Sequence, residues 1–270
     1  MEKITKEKFH QEHHSRNLGL LTEEEQKKID ETRILIAGCG VGSLVAINAA
    51  RLGFEKFILV DGDEVELSNI NRQGFSSRDV GRKKVNALAR RLKQINPHAE
   101  IRKYPIFVDI KNAARLVHKA DIIIDSIDPD AAQAVIAMHR AAQKEHKTII
   151  QPTDVGWGAM VQIFTPESIS YEKMIGLNPE TPIEKVSNEE AFGKFVQFFV
   201  KIMPPYVQKI AMEVAEGKRK HYPQPVSAGY ILAAMTVMGL KRVVLEQPFK
   251  VAPEYVEFDP DTCWEPNETK

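Results

Sequence analysis

The stretch Arg33–Gly42 decides the fold. It reads Arg-Ile-Leu-Ile-Ala-Gly-Cys-Gly-Val-Gly and leads into a helical pattern over Ser43–Leu52. A continuous apolar run predicts a strand that is buried on both faces, which is typical of parallel sheets covered by helices. Gly38, Gly40 and Gly42 would let the backbone approach a phosphate, and the free amides at the start of the next helix favour an anion. We therefore expect a nucleotide phosphate loop, although it is one residue shorter than the usual Gly-x-Gly-x-x-Gly.

Short β-branched runs alternate with helical patterns along the rest of the N-terminal half. Further strands are predicted at Lys56–Val60, Glu100–Phe107, Asp121–Asp125, Lys147–Gln151 and Gly158–Phe164. Helices are predicted at Gly81–Ile95, Lys111–His118 and Asp130–Glu145, and a capping box at Thr22 predicts a short helix before the first strand. This pattern indicates an α/β fold with a Rossmann-like, doubly wound, mostly parallel sheet.

The C-terminal third is richer in helical patterns. Pro166–Ser187 has no regular pattern, and helices are predicted over Asn188–Met203, Pro205–Lys218 and the apolar run Gly229–Leu240. We expect residues 1–165 to form an N-terminal helix and the nucleotide-binding domain. Residues 166–270 would complete the same domain with a crossover, a helical region and a dimer interface. The sequence does not reveal the role of the helical insertion Asn188–Lys218.

Composition excludes several classes of protein. The chain has 270 residues, 43% of them apolar, and Lys plus Arg equals Asp plus Glu at 37 each. This balance disfavours nucleic acid as the main ligand. The run Gly229–Leu240 is too short to span a bilayer, and the first residues contain no signal-peptide core, so we expect a cytoplasmic protein without a membrane partner. Two cysteines can form neither a disulfide framework nor an all-cysteine zinc site within one chain.

An acid follows the second predicted strand. Asp61 lies roughly 20 residues beyond the glycine loop, where a carboxylate can accept hydrogen bonds from ribose hydroxyls. The strand, loop, helix and acid follow one another in the order that a nucleotide site requires. The alternative is that the glycines only form a tight turn and that Asp61 only ends a strand, and the combined pattern favours nucleotide binding.

Three further motifs resemble one enzyme family. Residues 61–73 read Asp-Gly-Asp-Glu-Val-Glu-Leu-Ser-Asn-Ile-Asn-Arg-Gln, residues 80–85 read Val-Gly-Arg-Lys-Lys-Val, and residues 125–128 read Asp-Ser-Ile-Asp. In the ThiF/MoeB/HesA family, the bacterial relatives of ubiquitin-activating enzymes, the matching stretches read roughly Asp-x-Asp-x-Val-x-x-Ser-Asn-Leu-x-Arg-Gln, Val-Gly-x-x-Lys-Val and Cys-Thr-Asp-Asn. Over residues 16–164 the chain is similar to this family in both motifs and their order.

The resemblance implies an ATP site with Mg²⁺. In it Asp61 would hold the ribose, and Asn69, Arg72 and Gln73 would line the nucleotide pocket. Arg72 and Lys84 would neutralise the triphosphate. The chemistry requires such groups, because attack of a carboxylate on the α-phosphate builds negative charge on phosphate oxygens. Arg72 alone could be a surface ion pair, and one of the two adjacent lysines, Lys83 or Lys84, could be a solvated side chain; alignment of the motif selects Lys84.

The resemblance makes Asp128 the metal ligand. Asp125 and Asp130 are alternatives, and Asp125 is better explained as a structural acid at a strand end. The family has Asn after the metal-binding Asp, whereas this chain has Pro129, so the contact made by that Asn is lost or replaced.

The N-terminal segment carries two further expectations. Arg16 precedes the capping-box helix where the family supplies an arginine to the ATP of the partner subunit, so the resemblance implies a homodimer; a solvated arginine is the alternative. His10, His13 and His14 lack a neighbouring carboxylate or cysteine in the sequence, and we expect them to be polar surface.

The chain differs from the family at two places, and these differences argue against a zinc site and against a thioester intermediate. Where many members have Cys-x-x-Cys, residues 170–173 read Ser-Tyr-Glu-Lys, so we expect no zinc. Residues 166–248 contain no cysteine, so a thioester on this chain is not expected. Cys39 should pack as a small residue within the loop.

These features predict an ATP-dependent adenylyltransferase that activates a carboxylate as an acyl-adenylate and releases pyrophosphate. The carboxylate could belong to a ubiquitin-like carrier protein, a peptide or a small molecule. Alternatives are an enzyme that resembles tRNA threonylcarbamoyladenosine dehydratase, an NAD-dependent oxidoreductase, and a non-catalytic partner subunit. The acceptor carboxylate and the downstream nucleophile are not encoded in any recognisable motif.

Overall fold

Seven strands form one sheet in the computed structural model, which describes residues 4–264. The strands are β1 (Arg33–Ala37), β2 (Lys56–Val60), β3 (Glu100–Tyr104), β4 (Ile122–Asp125), β5 (Thr148–Val155), β6 (Gly158–Phe164) and β7 (Val256–Phe258). Their order across the sheet is β3-β2-β1-β4-β5-β6-β7. The strands β1 to β5 are parallel, and β6 and β7 continue the sheet in antiparallel pairing. The predicted mostly parallel, Rossmann-like sheet is confirmed.

Helices cover both faces of this sheet. In the described part of the chain they are α1 (Lys6–His14), α2 (Glu23–Glu31), α3 (Gly42–Leu52), α4 (Lys84–Ile95), α5 (Ala113–Val117), α6 (Ala132–Lys144), α7 (Tyr171–Ile175), α8 (Asn188–Val200), α9 (Pro205–Ala215) and α10 (Val226–Val244). Side chains alternate between faces along a strand, so Ile34 and Ile36 join the core that contains α3, α4 and α10. Leu35 and Ala37 join the opposite core, with α5, α6 and α8. The double winding follows from this burial on both faces.

Several element predictions were wrong in their bounds, and three of the differences are informative. β3 ends at Tyr104 rather than Phe107, because Pro105 has no N–H for the ladder. β5 runs on to Val155, because β6 pairs with it over that whole length. The segment predicted to be irregular, residues 166–187, contains α7, which Ser170 caps by accepting a hydrogen bond from the Lys173 amide at 3.3 Å.

The late apolar helix α10 is part of the fold. It contacts β5, β6 and α3, and its buried residues include Leu232 and Leu240. By length and composition it is the one helix within residues 4–264 that could cross a membrane. Its outward side keeps large apolar groups at the surface, with Tyr230 57% exposed and Met238 50% exposed.

The expectation of polar surface is wrong for His14 and holds only in part for His10 and His13, which are half-buried. His14 is buried, and its Nε2 lies 3.7 Å from Asp30 Oδ1 on α2. His10 pairs with Glu55, which follows α3, and His13 stacks on Phe9. The acids that hold α1 are distant in sequence, so no local pattern could indicate them. Within residues 4–264, no three His, Cys, Asp or Glu side chains form a metal site.

Asp30→Asn should make thermal stability more dependent on pH. Burial lowers the pKa of His14 from 6.5 to about 4 and raises the pKa of Asp30 from 3.8 to about 6. The contribution of His14 to the free energy of unfolding is therefore lost as the pH falls from about 6.5 to 4. The contribution of Asp30 is lost as the pH rises from about 3.8 to 6, so the two effects offset each other. The variant keeps only the His14 effect. We expect its melting temperature to drop about 3 °C further than that of the wild type between pH 6.5 and 4.5.

Calorimetric melting curves across that range measure the difference. Glu31→Gln, an exposed change on the same helix, is the matched control and should follow the wild type. Parallel curves for Asp30→Asn and the wild type would contradict the assigned protonation of this pair.

Candidate functional site

The glycine loop is clamped between the ends of three strands. The Gly38 amide donates to the Val60 carbonyl at 2.9 Å, and Gly38 has φ +85°. A Cβ at this position would lie 2.2 Å from the Ser126 carbonyl oxygen, so only glycine fits. Gly40 lies against the Gln73 side chain, and Gly42 opens α3. The loop thus lies at the carboxyl edge where β1 separates β2 from β4, which is the topological switch point of this sheet.

Asp61 holds the loop in shape. Its Oδ2 accepts a hydrogen bond from the Cys39 amide at 2.7 Å, and its Oδ1 accepts one from the Asp63 amide at 2.7 Å. Each carboxylate oxygen has two lone pairs, so both retain capacity for a further donor such as a ribose hydroxyl. The placement is compatible with the predicted ribose contact, which stays a prediction.

Cys39 is completely buried beneath the loop. Burial, reinforced by the nearby Asp61 carboxylate, raises the pKa of its thiol well above the usual range. A neutral, enclosed thiol is a poor nucleophile. This matches its expected role as a small packing residue.

The two adjacent lysines occupy different environments. Lys84 is the first residue of α4 and is buried, and its Nζ donates to Asp63 Oδ2 at 2.9 Å. Lys83 is more exposed and reaches the Gly62 carbonyl at 3.0 Å and Glu64 at 3.4 Å. The lysine selected from the motif is therefore the one that is enclosed beside the loop acids.

Asp128 belongs to the same electrostatic cluster. It is solvent-accessible just beyond β4, yet the pKa of its carboxyl is raised, first by desolvation and then by repulsion from Asp130, Asp63 and Asp61. The Lys84 ammonium partly offsets this increase. A divalent cation would relieve the mutual repulsion, and carboxylate oxygens are the donors that Mg²⁺ prefers. Mg²⁺ that is bound to ATP phosphates needs only one or two carboxylates from the protein, so Asp128 is a candidate ligand even though no three-residue metal site is present within residues 4–264.

The rival acid Asp125 is structural. It is buried at the end of β4 and accepts hydrogen bonds from the Ile127 amide at 3.2 Å and from Gln151 Nε2 at 3.3 Å. His139 Nε2 lies 3.2 Å from Oδ2, the same oxygen that Gln151 contacts. These contacts use the carboxylate to fix the turn that presents Asp128.

The turn over residues 66–73 carries three predicted site residues. Asn69 Oδ1 accepts from the Glu66 amide at 3.0 Å, and the Asn69 carbonyl accepts from the Gln73 amide at 3.0 Å. Asn69 therefore shapes the turn, and Gln73 faces the loop at Gly40. Arg72 Nη1 donates to the Ser68 carbonyl at 2.9 Å and to Asn71 Oδ1 at 3.0 Å.

Arg16 lies apart from this cluster. It follows α1, is exposed, and makes no hydrogen bond or ion pair with other residues of the described range 4–264. Within one chain the structure thus does not join Arg16 to the other predicted site residues.

Sequence reasoning missed a second polar group at the same edge. Asp154 lies near the end of β5 and accepts from Gln224 Nε2 at 3.0 Å. Burial raises the pKa of its carboxyl to about 6, although the Gln224 hydrogen bond and the Arg72 guanidinium lower it. Tyr222 accepts a hydrogen bond from the Gly156 amide at 3.3 Å. The available signal was an acid at the carboxyl end of a parallel strand, where open α/β sheets place ligand contacts.

The helical insertion packs beside this group. α8 contacts α6 and α7, and the Arg140 guanidinium on α6 donates to the buried Glu172 carboxylate of α7 at 2.6 Å. Tyr206 on α9 accepts from the Trp157 amide at 3.1 Å and donates to Asp259 at 2.7 Å. The insertion is thereby tied to the β5–β6 turn.

Comparison with known proteins identifies relatives of this arrangement. The model of the ThiF family matches residues 14–259. The sulfur carrier protein ThiS adenylyltransferase of Escherichia coli is 29% identical over 143 residues, which are 52% of this chain and 56% of that protein. A probable molybdopterin-synthase adenylyltransferase from Gracilaria tenuistipitata var. liui is 28% identical over 53% of this chain and 40% of its own length. The chain thus spans about half the length of these relatives.

Solved structures share the fold. The structure of E. coli MccB with ATP superposes with a TM-score of 0.64 at 20% identity, covering 88% of this chain and 63% of MccB. PaaA superposes with a TM-score of 0.68 at 20% identity, covering 96% of this chain and 85% of PaaA.

Proposed function

Because this chain belongs to the ThiF family, we propose that it is an ATP-dependent adenylyltransferase that activates a carboxylate as an acyl-adenylate. One observation carries the proposal. The enclosed Lys84 and the acids Asp61, Asp63 and Asp128 gather around one glycine loop at the switch point of the sheet. A triphosphate with a divalent cation needs this combination of a cation, acids and backbone amides, whereas hydride transfer to NAD does not.

The reaction has a defined balance of bonds. A carboxylate oxygen of the substrate attacks the α-phosphorus, a new P–O bond forms, and the bond to the bridging oxygen breaks, so that pyrophosphate leaves. Lys84 and Arg72 would offset the negative charge that develops on the phosphate oxygens. The loop amides and Asp61 would orient the nucleotide, and Asp128 would hold Mg²⁺, which supplies further charge neutralisation.

The substrate would be a carboxylate-bearing protein, peptide or small molecule. Relatives that are named sulfur carrier protein adenylyltransferases support a carrier protein, and MccB, whose structures include complexes with MccA, supports a peptide. We place the reaction in the cytoplasm. Dehydration of a modified tRNA is the less favoured alternative, because the equal numbers of acidic and basic residues provide no general field for RNA.

The protein should bind ATP with Mg²⁺ and should not bind NAD. The cation at Lys84 and the acid at Asp128 complement a triphosphate with its metal, and Mg²⁺ should strengthen ATP binding by about tenfold or more. Isothermal titration calorimetry with each nucleotide, with and without Mg²⁺, measures this. Tight NAD binding without an ATP signal would refute the proposed function.

The active form should be a homodimer in which Arg16 completes the partner's site. The exposed apolar side of α10, which includes Tyr230 and Met238, would be covered by a second copy. Arg16→Ala and Lys84→Ala should each be inactive alone. An equal mixture should recover about a quarter of the wild-type sites, because half of the dimers are hybrids and each hybrid has one intact site.

Light scattering and exchange assays on the mixed subunits test this arrangement. The variants must be mixed under conditions that allow subunit exchange, and a mixture of Lys84→Ala with Asp128→Ala serves as the control, because both changes would leave every site of a hybrid dimer defective. A monomeric mass at micromolar concentration, or no recovery despite verified exchange, would rule out an arginine acting in trans.

A further inference from the structure

A cavity with cationic walls lies between α4 and the turn over residues 76–82. Its volume is about 310 Å³. Four of its lining residues are arginines, namely Arg78, Arg82, Arg90 and Arg91, and Asp79 is the one acid among the lining residues that the structure describes. The lining therefore carries three more positive than negative charges, in a chain with equal numbers of acidic and basic residues. We call this feature the arginine cavity.

Asp79 is fixed by its own turn. It is buried, and its Oδ2 accepts hydrogen bonds from the Ser76 amide and the Ser76 hydroxyl, both at 2.9 Å. Arg90 pairs with Oδ1, and Arg91 Nη2 lies 3.5 Å from Oδ2. Because Ser76 already uses much of the acceptor capacity of this carboxylate, Asp79 cannot neutralise all four arginines.

The two arginines of the turn keep most of their donors available. Arg78 is exposed, and its side chain makes no hydrogen bond or ion pair with any residue of the described range 4–264. Arg82 is also exposed, and its Nε donates to the Arg78 carbonyl at 3.3 Å. The backbone beneath them is fixed, because the Arg82 amide donates to the Asp79 carbonyl at 3.0 Å and the Val65 amide donates to the Arg82 carbonyl at 2.8 Å. A ligand in the cavity therefore meets a preformed set of cationic donors.

Charge and geometry favour a phosphate-bearing ligand. A carboxylate brings a single charge, whereas a phosphate monoester brings about 1.5 to 2 negative charges at pH 7 and a diphosphate group about three. Guanidinium groups bind phosphate oxygens in a bidentate manner. Among the described residues no aromatic side chain lines the cavity, so it provides no surface on which a nucleotide base could stack. A diphosphate group therefore matches both the excess charge and the polar walls.

The arginine cavity is separate from the nucleotide loop but adjoins it. Arg90 and Arg91 follow Lys84 on α4 by nearly two helical turns, which places them roughly 10 Å further along the helix axis. These two arginines act on Asp79, whereas Lys84 acts on Asp128 beside the loop. The two sites can therefore be occupied at the same time.

We propose that the arginine cavity binds a diphosphate group at a site of its own, in addition to the nucleotide site. The diphosphate is free pyrophosphate, which the proposed adenylation releases, or the end of a larger molecule such as a nucleotide. The inference goes beyond the proposed adenylation and does not depend on it, because no residue that lines the cavity belongs to the predicted nucleotide site.

Isothermal titration calorimetry with inorganic pyrophosphate, in the absence of Mg²⁺, tests this site. Lys84→Ala serves as the background, because loss of that ammonium weakens competing binding at the nucleotide loop. This variant should bind a single pyrophosphate per chain. Addition of Arg78→Gln and Arg82→Gln should weaken the binding about 100-fold, roughly tenfold for each charge-assisted interaction that is lost.

The matched control removes two arginines elsewhere in the same background. Arg102 on β3 and Arg115 on α5 are exposed and lie outside the cavity lining. Arg102→Gln with Arg115→Gln lowers the net charge by the same amount, but should change the affinity for pyrophosphate less than about threefold, as expected for screened charges.

A gain in affinity provides a second test if circular dichroism shows that the Arg78 and Arg82 double variant is unfolded. Gln94 also lines the cavity. Gln94→Lys adds a cation to the lining and should strengthen pyrophosphate binding by about threefold or more.

Titration with ADP distinguishes the two sources of the diphosphate. The quantity compared is the part of the binding that Arg78→Gln with Arg82→Gln removes. Similar values for ADP and pyrophosphate show that a nucleotide can supply the group. A much weaker value for ADP shows that the free ion is the ligand, and both results support the site.

Other outcomes overturn the arginine cavity as a diphosphate site. They are the absence of pyrophosphate binding to folded Lys84→Ala, equal weakening by the control pair, and no gain in Gln94→Lys. Tighter binding of a single-stranded RNA through the same arginines also overturns it, because the cavity would then serve an RNA backbone. ATP binding by the wild type in any of these cases leaves the proposed adenylation in place, whereas failure of ATP to bind contradicts that proposal alone.

Discussion

Lys84→Ala should slow ATP–pyrophosphate exchange by about 10²-fold or more, equivalent to roughly 3 kcal/mol of transition-state stabilisation. The lysine is enclosed beside the loop and pairs with the half-exposed Asp63 at 2.9 Å, so its charge is less screened by solvent than that of a surface lysine. Arg72→Ala and Asp128→Ala should cause losses of the same order, because they remove a second cation and the proposed metal ligand. Exchange of labelled pyrophosphate into ATP in the presence of the true carboxylate substrate measures this step.

Lys83→Ala is the matched control for this experiment. The two lysines adjoin in sequence, but Lys83 is more exposed and contacts Gly62 and Glu64 instead of Asp63. Its removal should change the exchange rate less than threefold, as expected for a screened charge. Undiminished exchange in Lys84→Ala, Arg72→Ala and Asp128→Ala together would contradict the assignment of the site.

Gly38→Ala should abolish detectable ATP binding and destabilise the fold by about 3 kcal/mol. The substitution combines two costs: a left-handed backbone at φ +85°, and a methyl group that would lie 2.2 Å from the Ser126 carbonyl oxygen. Relief of that clash requires β1 and β4 to separate at their carboxyl ends, where the loop amides must point at phosphate. Urea denaturation measures the change in the free energy of unfolding, and calorimetry measures ATP binding.

Gly176→Ala isolates the backbone cost. Gly176 ends α7 with φ +84°, and no atom lies within 4 Å of the position of its Cβ. This variant should lose only about 1 kcal/mol and keep its affinity for ATP. Equal destabilisation by the two substitutions would show that backbone strain, rather than the contact with Ser126, governs the requirement for glycine in the loop.

The strands that were easiest to predict are those that helices cover on both faces of the sheet. The predicted bounds are correct for β1, β2 and β6. A continuous apolar run is removed from water on all sides only in a strand that is covered on both faces. The sequence pattern did not predict α1, because nearly all of its residues are polar. Its anchors, Glu55 and Asp30, come from distant parts of the chain, and tertiary contacts of that kind leave no periodic signal.

Ordered motifs supplied the candidate residues of the site, and the roles of these residues stay predictions. The motif selected Lys84 over Lys83, and the structure shows the physical difference between them. Asp154 could not be found in this way. A carboxylate near a strand end is common, and what distinguishes Asp154 is its contact with Gln224, 70 residues further along the chain.

The first turn of α10 supports the Arg72 backbone, while the outward side of the same helix exposes Tyr230 and Met238. A dimer formed through that side would restrain the helix, and the restraint would pass directly to the turn that carries Arg72. Turnover per subunit should then rise with enzyme concentration until association is complete. Dilution would lower the turnover per subunit before any loss of folded structure. The turnover per subunit in the cell would therefore depend on the concentration of the protein.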